Sequence, residues 1–346
     1  MAIVETKFEA LSTFGVQNTP TLKELTTQSK ELVRSWQDSV VINGDKPQFG
    51  IDKDLMFSFR DSHGESRKMD ITDTAFSQLC ARLGVPAKYV KKCVSTGKTD
   101  LALENFHAWA NDFRGNMLVR QSDGAARAVL SDTFSVYDSY KILRALNYTV
   151  DTKRFVPSQV HLSLDRLHIR FVDYTPLPVT DGSGKPLYAG FIVNSSDVGR
   201  GALSMTFFIY RSVCQNGMAI SSGSGTLYKQ AHVGERMTES KISAFNRGMM
   251  DIDRMTEQAV ELIKTSAGRK LKEYEMAFFM EKARREMKLS EKGTETLKAL
   301  VGDGKTYEPT KWGFINGITE LAQQYTLDTR IDMEDWAGRF LTTKAA

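Results

Sequence analysis

Cys214 and His232 are the two side chains in this sequence with the right types to make or break a bond together. Cys214 follows Arg211 by three residues in RSVCQNG (211–217), and a cation beside a thiol lowers its pKa and exposes the thiolate as a nucleophile. His232, in QAHVGER, is the base such a thiolate would use. No third group stands at a spacing that would orient the histidine, and a buried cysteine at the end of a strand explains Cys214 more simply. Asn216-Gly217 reads as a turn with positive φ. The five histidines, His63, His107, His161, His168 and His232, share no H-x-x-x-H or H-E-x-x-H spacing. Cys80, Cys93 and Cys214 form no C-x-x-C pair, so no zinc site is expected. The chain has no G-x-x-x-x-G-K-[ST] and no G-x-G-x-x-G after a strand, and no carboxylate pair stands out for acid–base work. No cofactor is therefore expected. Binding ranks above catalysis, with an enzyme using Cys214 and His232 held as an alternative.

The chemistry of binding points to a polyanion. Arg120, Arg127, Arg200, Arg211, Lys229, Arg236 and Arg247 are candidates to track phosphates, and Tyr210 or Tyr228 could stack on a base. Two further segments carry cations. AFSQLCARLGVPAKYVKKC (75–93) is patterned like a helix-turn-helix whose second helix bears Lys88, Lys91 and Lys92, although a plain pair of packed helices has the same pattern. Between 264 and 292 nine lysines and arginines stand against five glutamates, which suits either a phosphate-binding patch or a solvated helix laced with i,i+4 ion pairs.

These residues need elements to hold them. Thr19-Pro20-Thr21 opens a helix through Leu22, Leu25, Leu32, Val33 and Trp36. A strand over 55–60 follows, then a helix capped within Asp70–Asp73, a stop at Gly84, a second helix from Pro86 and a third over 100–113. Met117–Arg120 and Arg127–Leu130 flank Ser122-Asp123-Gly124 as a hairpin, and a helix near 138–146 comes next. Strands are expected at 159–164, 167–173, 188–194 and 203–214. Apolar residues at helical spacing return from about 237 to 292 and again over 311–326. The expectation is an α+β fold: a central antiparallel sheet flanked by N-terminal and C-terminal helical segments. The regions are 1–113, mainly helical; 114–236, a β-rich core; and 237–346, helical and either separate from the core or continuous with it.

Composition fits such a chain. It has 346 residues, 41% of them hydrophobic and 25% charged, enough for one large domain or two ordinary ones. Net charge is +4, which permits a nucleic-acid partner without demanding one. Three cysteines make no disulfide framework, and the sequence has no signal-peptide pattern and no apolar run of membrane-spanning length. A cytoplasmic protein with no membrane partner is expected.

Several segments together resemble the phage- and plasmid-borne protein family with the domain of unknown function 932. They are LGVPAKYV (83–90), VRQSDGAARAVLSDTFSVYD (119–138), NSSDVGRGALSM (194–205), RSVCQNGM (211–218), AHVG (231–234) and TKWGFINGITELAQ (310–323). The resemblance runs from roughly 70 to 325 and brings no set of catalytic residues. It implies a mobile-element setting, in which single-stranded DNA binding or annealing during replication or recombination is the leading function. DNA is favoured over RNA, and a homo-oligomer is expected. The alternative is an interaction module acting on a host or defence protein.

Overall fold

The computed structural model describes residues 20–180, 186–211, 216–219, 226–232, 239–301 and 306–343. They form an α+β fold with two six-stranded, mostly antiparallel sheets. The elements run α1 (Leu22–Val33), β1 (Gln37–Val41), β2 (Phe49–Ile51), β3 (Phe57–Arg60), β4 (Ser66–Ile71), α2 (Asp73–Leu83), α3 (Ala87–Ser95) and α4 (Thr99–Asp112). Then come β5 (Met117–Ser122), β6 (Ala125–Ser131), α5 (Ser139–Thr149), β7 (Phe155–Leu162), β8 (Leu167–Thr180), β9 (Pro186–Ser195) and β10 (Leu203–Arg211). The chain continues through β11 (Asn216–Ala219), β12 (Thr226–Gln230), α6 (Glu239–Met250), α7 (Ile252–Ala267), α8 (Glu273–Glu286), α9 (Glu291–Val301), α10 (Lys311–Leu321) and α11 (Leu327–Thr342).

The first sheet has the order β1-β5-β6-β4-β3-β2, and only β4 and β6 pair in parallel. Its centre is the expected hairpin, turned at Asp123 (φ 52°) and Gly124 (φ 75°), the positive-φ pair that matches the twist of antiparallel strands. Phe57, Phe59, Val119 and Val129 on this sheet pack against Phe76, Leu79, Val90 and Phe106 of α2, α3 and α4. Among the described residues, the region up to 113 holds four helices and also β1 to β4, which belong to this sheet. β4, SRKMDI, buries only Met69, so its outward polar residues hide it from a hydrophobicity reading.

The second sheet has the order β11-β10-β9-β8-β7, with β12 also paired to β10. β11 and β12 share one edge of β10, β12 opposite Leu203–Thr206 and β11 opposite Phe208–Arg211. The expected single central sheet is thus two, with β5 and β6 in the first and β7 to β12 in the second. One face of the second sheet presents Leu167, Ile169, Phe171, Phe191, Val193, Met205 and Phe207 to the larger core, where α1, α5, α7 and α10 meet it. Each such fully buried aliphatic or aromatic side chain contributes about 1.5–3 kcal/mol. Phe171 and Phe191 stack across β8 and β9 at 4.7 Å. Gly190 precedes Phe191 and so faces the opposite side of β9, where a Cβ would stand 2.1 Å from the Phe171 carbonyl oxygen and 2.5 Å from the Phe208 ring.

Arg120 on β5 ties the two halves together. Nε donates to Asp38 of β1 (2.8 Å), Nη2 to Asp138 beside α5 (2.7 Å) and Nη1 to the Asp197 carbonyl after β9 (2.7 Å). Its guanidinium lies 4.5 Å from the centre of the Trp36 ring. Asp197 in turn accepts from the backbone N–H (2.9 Å) and hydroxyl (2.8 Å) of Ser139, at the start of α5. Among the described residues no helix is long and apolar enough to cross a membrane.

Candidate functional site

The second sheet has a polar face. In β8, Leu167, Ile169 and Phe171 turn to the core, so strand alternation puts His168 and Arg170 on the opposite side. Asn194 of β9 and Ser204 and Thr206 of β10 stand with them. α11 closes this face. Its Met333, Trp336, Ala337, Phe340 and Leu341 join the core at helical spacing, while Glu334, Asp335 and Arg339 border the polar residues.

The result is a polar cavity of about 310 Å³. His168 is fully buried, and its Nδ1 lies 2.7 Å from the Asn194 side-chain oxygen. An amide oxygen only accepts, so Nδ1 carries the proton and Nε2 holds a lone pair that meets no partner among the described residues. Burial first, and the neighbouring Arg170 charge second, push the His168 pKa down to about 3, so the ring is neutral. Arg170 is 1% exposed. Its Nη2 donates to Glu334, which is also 1% exposed and accepts from Arg330 Nε at 2.9 Å. Arg170 Nε and Nη1 are buried with no partner among the described residues. Leaving such a donor or acceptor unmet costs about 1–3 kcal/mol each, more for a charged group. Burial pushes the Asp335 carboxyl up to about 6. Lys229 and Arg339 are exposed at the rim, with no ion pair among the described residues.

A larger cavity of about 640 Å³ adjoins the first and shares Asn194 and Ile331 with it. His161, Arg166 and Arg200 line it beside Asp165 and Asp332. Its wall is the NSSDVGR segment. Ser196 Oγ donates to the Asp165 carbonyl (2.8 Å) and accepts from the Arg200 N–H (2.9 Å), which holds the turn and leaves the Arg200 side chain in solvent.

Of the residues singled out in the sequence, Arg200 and Lys229 meet at this pair of cavities. Arg120 does not: it is 1% exposed, and all three guanidinium nitrogens are bonded. Arg211 is buried and donates to the Tyr307 hydroxyl (2.9 Å), and Tyr210 is 2% exposed beside Phe208. Burial takes these three off any phosphate-facing surface. Arg127 lies on the first sheet, 3.7 Å from Asp123. Tyr228 packs edge-on against Phe245. Arg247 is exposed on α6 and borders neither cavity. Arg236 and Cys214 lie outside the described residues. His232 is a packing residue. Its Nδ1 donates to the Ser135 carbonyl (3.2 Å), its Nε2 is 3.4 Å from Ser195 Oγ, and its ring stacks on Phe134.

The basic run from 264 to 292 is partly spent on ion pairs, Arg269–Glu275 and Arg284–Glu281 among them. In the 75–93 segment, Lys91 pairs with Asp73 at 2.7 Å. Cys80 is buried, which pushes its thiol up to about 11, so it is no nucleophile. Tyr274 and Phe278 stand exposed one turn apart on α8. No cluster of three metal-ligating side chains occurs among the described residues.

His168, Arg170, Glu334, Asp335 and Arg339 were not anticipated. The alternation of β8 could have pointed to the first two, and the 333-336-337-340-341 spacing to the helix that carries the others.

Residues 187–339 match the family described as Domain of unknown function (DUF932). The matched stretch takes in NSSDVGRGALSM, RSVCQNGM, AHVG and TKWGFINGITELAQ, while LGVPAKYV and the 119–138 segment fall before it. It supplies Asn194, Lys229, Glu334, Asp335 and Arg339 to the smaller cavity, and β8, which lies outside it, supplies His168 and Arg170. No curated protein and no solved structure matches the chain.

Proposed function

We propose that this DUF932-bearing chain binds single-stranded nucleic acid, DNA in preference to RNA, along the two adjoining cavities on the polar face of the second sheet. The observation that carries this reading is the set of exposed cations there. Arg200, Lys229 and Arg339 reach solvent around the cavities with no ion pair among the described residues, and Arg166 adds a fourth positive charge. Four carboxylates stand nearby: Asp165, Asp332, Glu334 and Asp335. Glu334 is already committed to Arg170 and Arg330. The exposed rim is therefore net positive, as a phosphate track requires.

Neutralising about three phosphates of a single strand gives a slope near −2 in log K against log salt. Fluorescence anisotropy with a labelled single-stranded 30-mer DNA, between 50 and 300 mM NaCl, reads that slope. Arg200→Ala is expected to make it shallower by about 0.7, the contribution of one phosphate contact. Affinity that ignores salt, or an Arg200→Ala variant with the parent's slope, removes the support for this reading. An RNA 30-mer that binds as tightly as the DNA corrects its polymer preference.

A further inference from the structure

We propose that the smaller cavity is a binding site for a protonated phosphate group, inorganic phosphate or a phosphomonoester, held by Arg170, Lys229 and Arg339 and identified by His168. The cavity is built for a ligand with two opposite hydrogen-bonding characters. Among the described residues Arg170 Nε and Nη1 are buried donors without acceptors, and His168 Nε2 is a buried acceptor without a donor. Both side chains are at least 99% buried, so neither reaches bulk water directly. Lys229 and Arg339 stand at the rim, and Ser204 and Thr206 line the wall.

An oxyanion answers the cations, because its oxygens accept from Arg170, Lys229 and Arg339. His168 narrows the class further. A neutral imidazole with its proton fixed on Nδ1 by Asn194 can only accept at Nε2. The ligand must therefore bring an O–H to that nitrogen. Near neutral pH, inorganic phosphate and phosphomonoesters keep such a proton on part of the population, since their second pKa lies near 6 to 7. Sulfate and phosphodiesters have none. The volume, about 310 Å³, lies at the lower end of the range for small-molecule sites.

The charges in the cavity allow an anion. Glu334 faces Arg170 and Arg330 and is neutralised by them. Asp335 is the remaining carboxylate, and Lys229 and Arg339 outnumber it. This site shares the rim cations Lys229 and Arg339 with the polymer reading but not His168 and Arg170: the phosphodiesters of a nucleic-acid backbone lack the proton that His168 requires, so a strand would track the rim without entering the pocket between them.

Isothermal titration calorimetry of the full chain at pH 7 tests it with four probes: inorganic phosphate, adenosine 5′-monophosphate, sulfate and dimethyl phosphate. The expected result is that inorganic phosphate, the monophosphate or both bind at least tenfold tighter than sulfate and dimethyl phosphate. Tight inorganic phosphate with weak monophosphate identifies the free ion, and tight monophosphate identifies the ester. Lys229→Ala and Arg339→Ala change exposed side chains and leave the core intact. Each is expected to weaken binding at least fivefold. Equal affinity for sulfate, absence of binding by both protonated probes, or unchanged affinity in both variants overturns the proposal. Loss of phosphate selectivity with DNA binding intact sinks this site alone, and the reverse outcome sinks the polymer reading alone.

Discussion

Asp335 shows how a single titrating group can be read through stability. It lines the cavity along with the buried Arg170–Glu334 pair, and burial holds its pKa at about 6, above the ordinary 3.8. A folded-state pKa above the unfolded one means that folding favours the protonated form. The stability it contributes is present below about pH 4 and is lost as pH rises through about 6. Asp197 is raised to about 6 as well, so the wild-type curve contains both groups. Asp335→Asn isolates one of them. The difference between variant and parent in urea unfolding is expected to grow in favour of the variant from pH 4 to pH 7. Because the residue is only partly shielded from solvent, the gain should be roughly 1 kcal/mol, below the unscreened value for a two-unit shift. A difference that stays flat across that range contradicts the assignment of the raised carboxyl to this position.

At the scale of elements, a glycine in the hairpin turn of the first sheet and a glycine inside β9 of the second are not equivalent. Gly124 needs only a positive φ, and nothing lies within 4 Å of an added Cβ. Gly124→Ala should cost about 1–2 kcal/mol, the ordinary penalty for an L-residue in that region. Gly190 lies between paired strands, and a methyl group there would collide with the Phe171 carbonyl and the Phe208 ring. Gly190→Ala must push β8 and β9 apart, which breaks ladder hydrogen bonds and opens the core, so its loss should exceed that of Gly124→Ala by 2 kcal/mol or more. Urea midpoints for the two variants compare them directly, and equal midpoints would show that β9 can yield.

The same elements show what the sequence makes legible. The β5–β6 hairpin and the α2–Gly84–α3 corner are local, each set by a turn or cap a few residues long, and both stand where the pattern places them. β1, β2 and β4 escape because they are short or mostly polar outside. The division into two sheets escapes because β1 pairs with β5 about eighty residues away, and no local signal encodes such a partner. Arg200 and Lys229 stand exposed at the cavities, as their residue types suggest for cations on a surface. Arg120 and Arg211 were misplaced for the same reason: residue type does not reveal burial.

For the whole molecule, the question is what Arg120 does between the two sheets. It binds Asp38, Asp138 and the Asp197 carbonyl at once, and Asp197 belongs to the turn that carries Arg200 to the larger cavity. Removing the guanidinium leaves two carboxylates without their counter-charge and cuts the tie between the first sheet and that turn. Breaking a buried ion pair from one side costs about 3–5 kcal/mol. Arg120→Met, which keeps much of the volume, should therefore lower the unfolding midpoint sharply. A phosphate-contacting arginine would behave in the opposite way: its loss would leave stability nearly unchanged and make the salt dependence of DNA binding shallower by one contact. The two readings separate in one pair of measurements on the same variant, made at a temperature where it stays folded. A lowered melting temperature with the parent's salt slope is the expected outcome. An unchanged melting temperature with a shallower slope would return Arg120 to the binding surface and require the Asp38–Arg120–Asp138 cluster to open in solution.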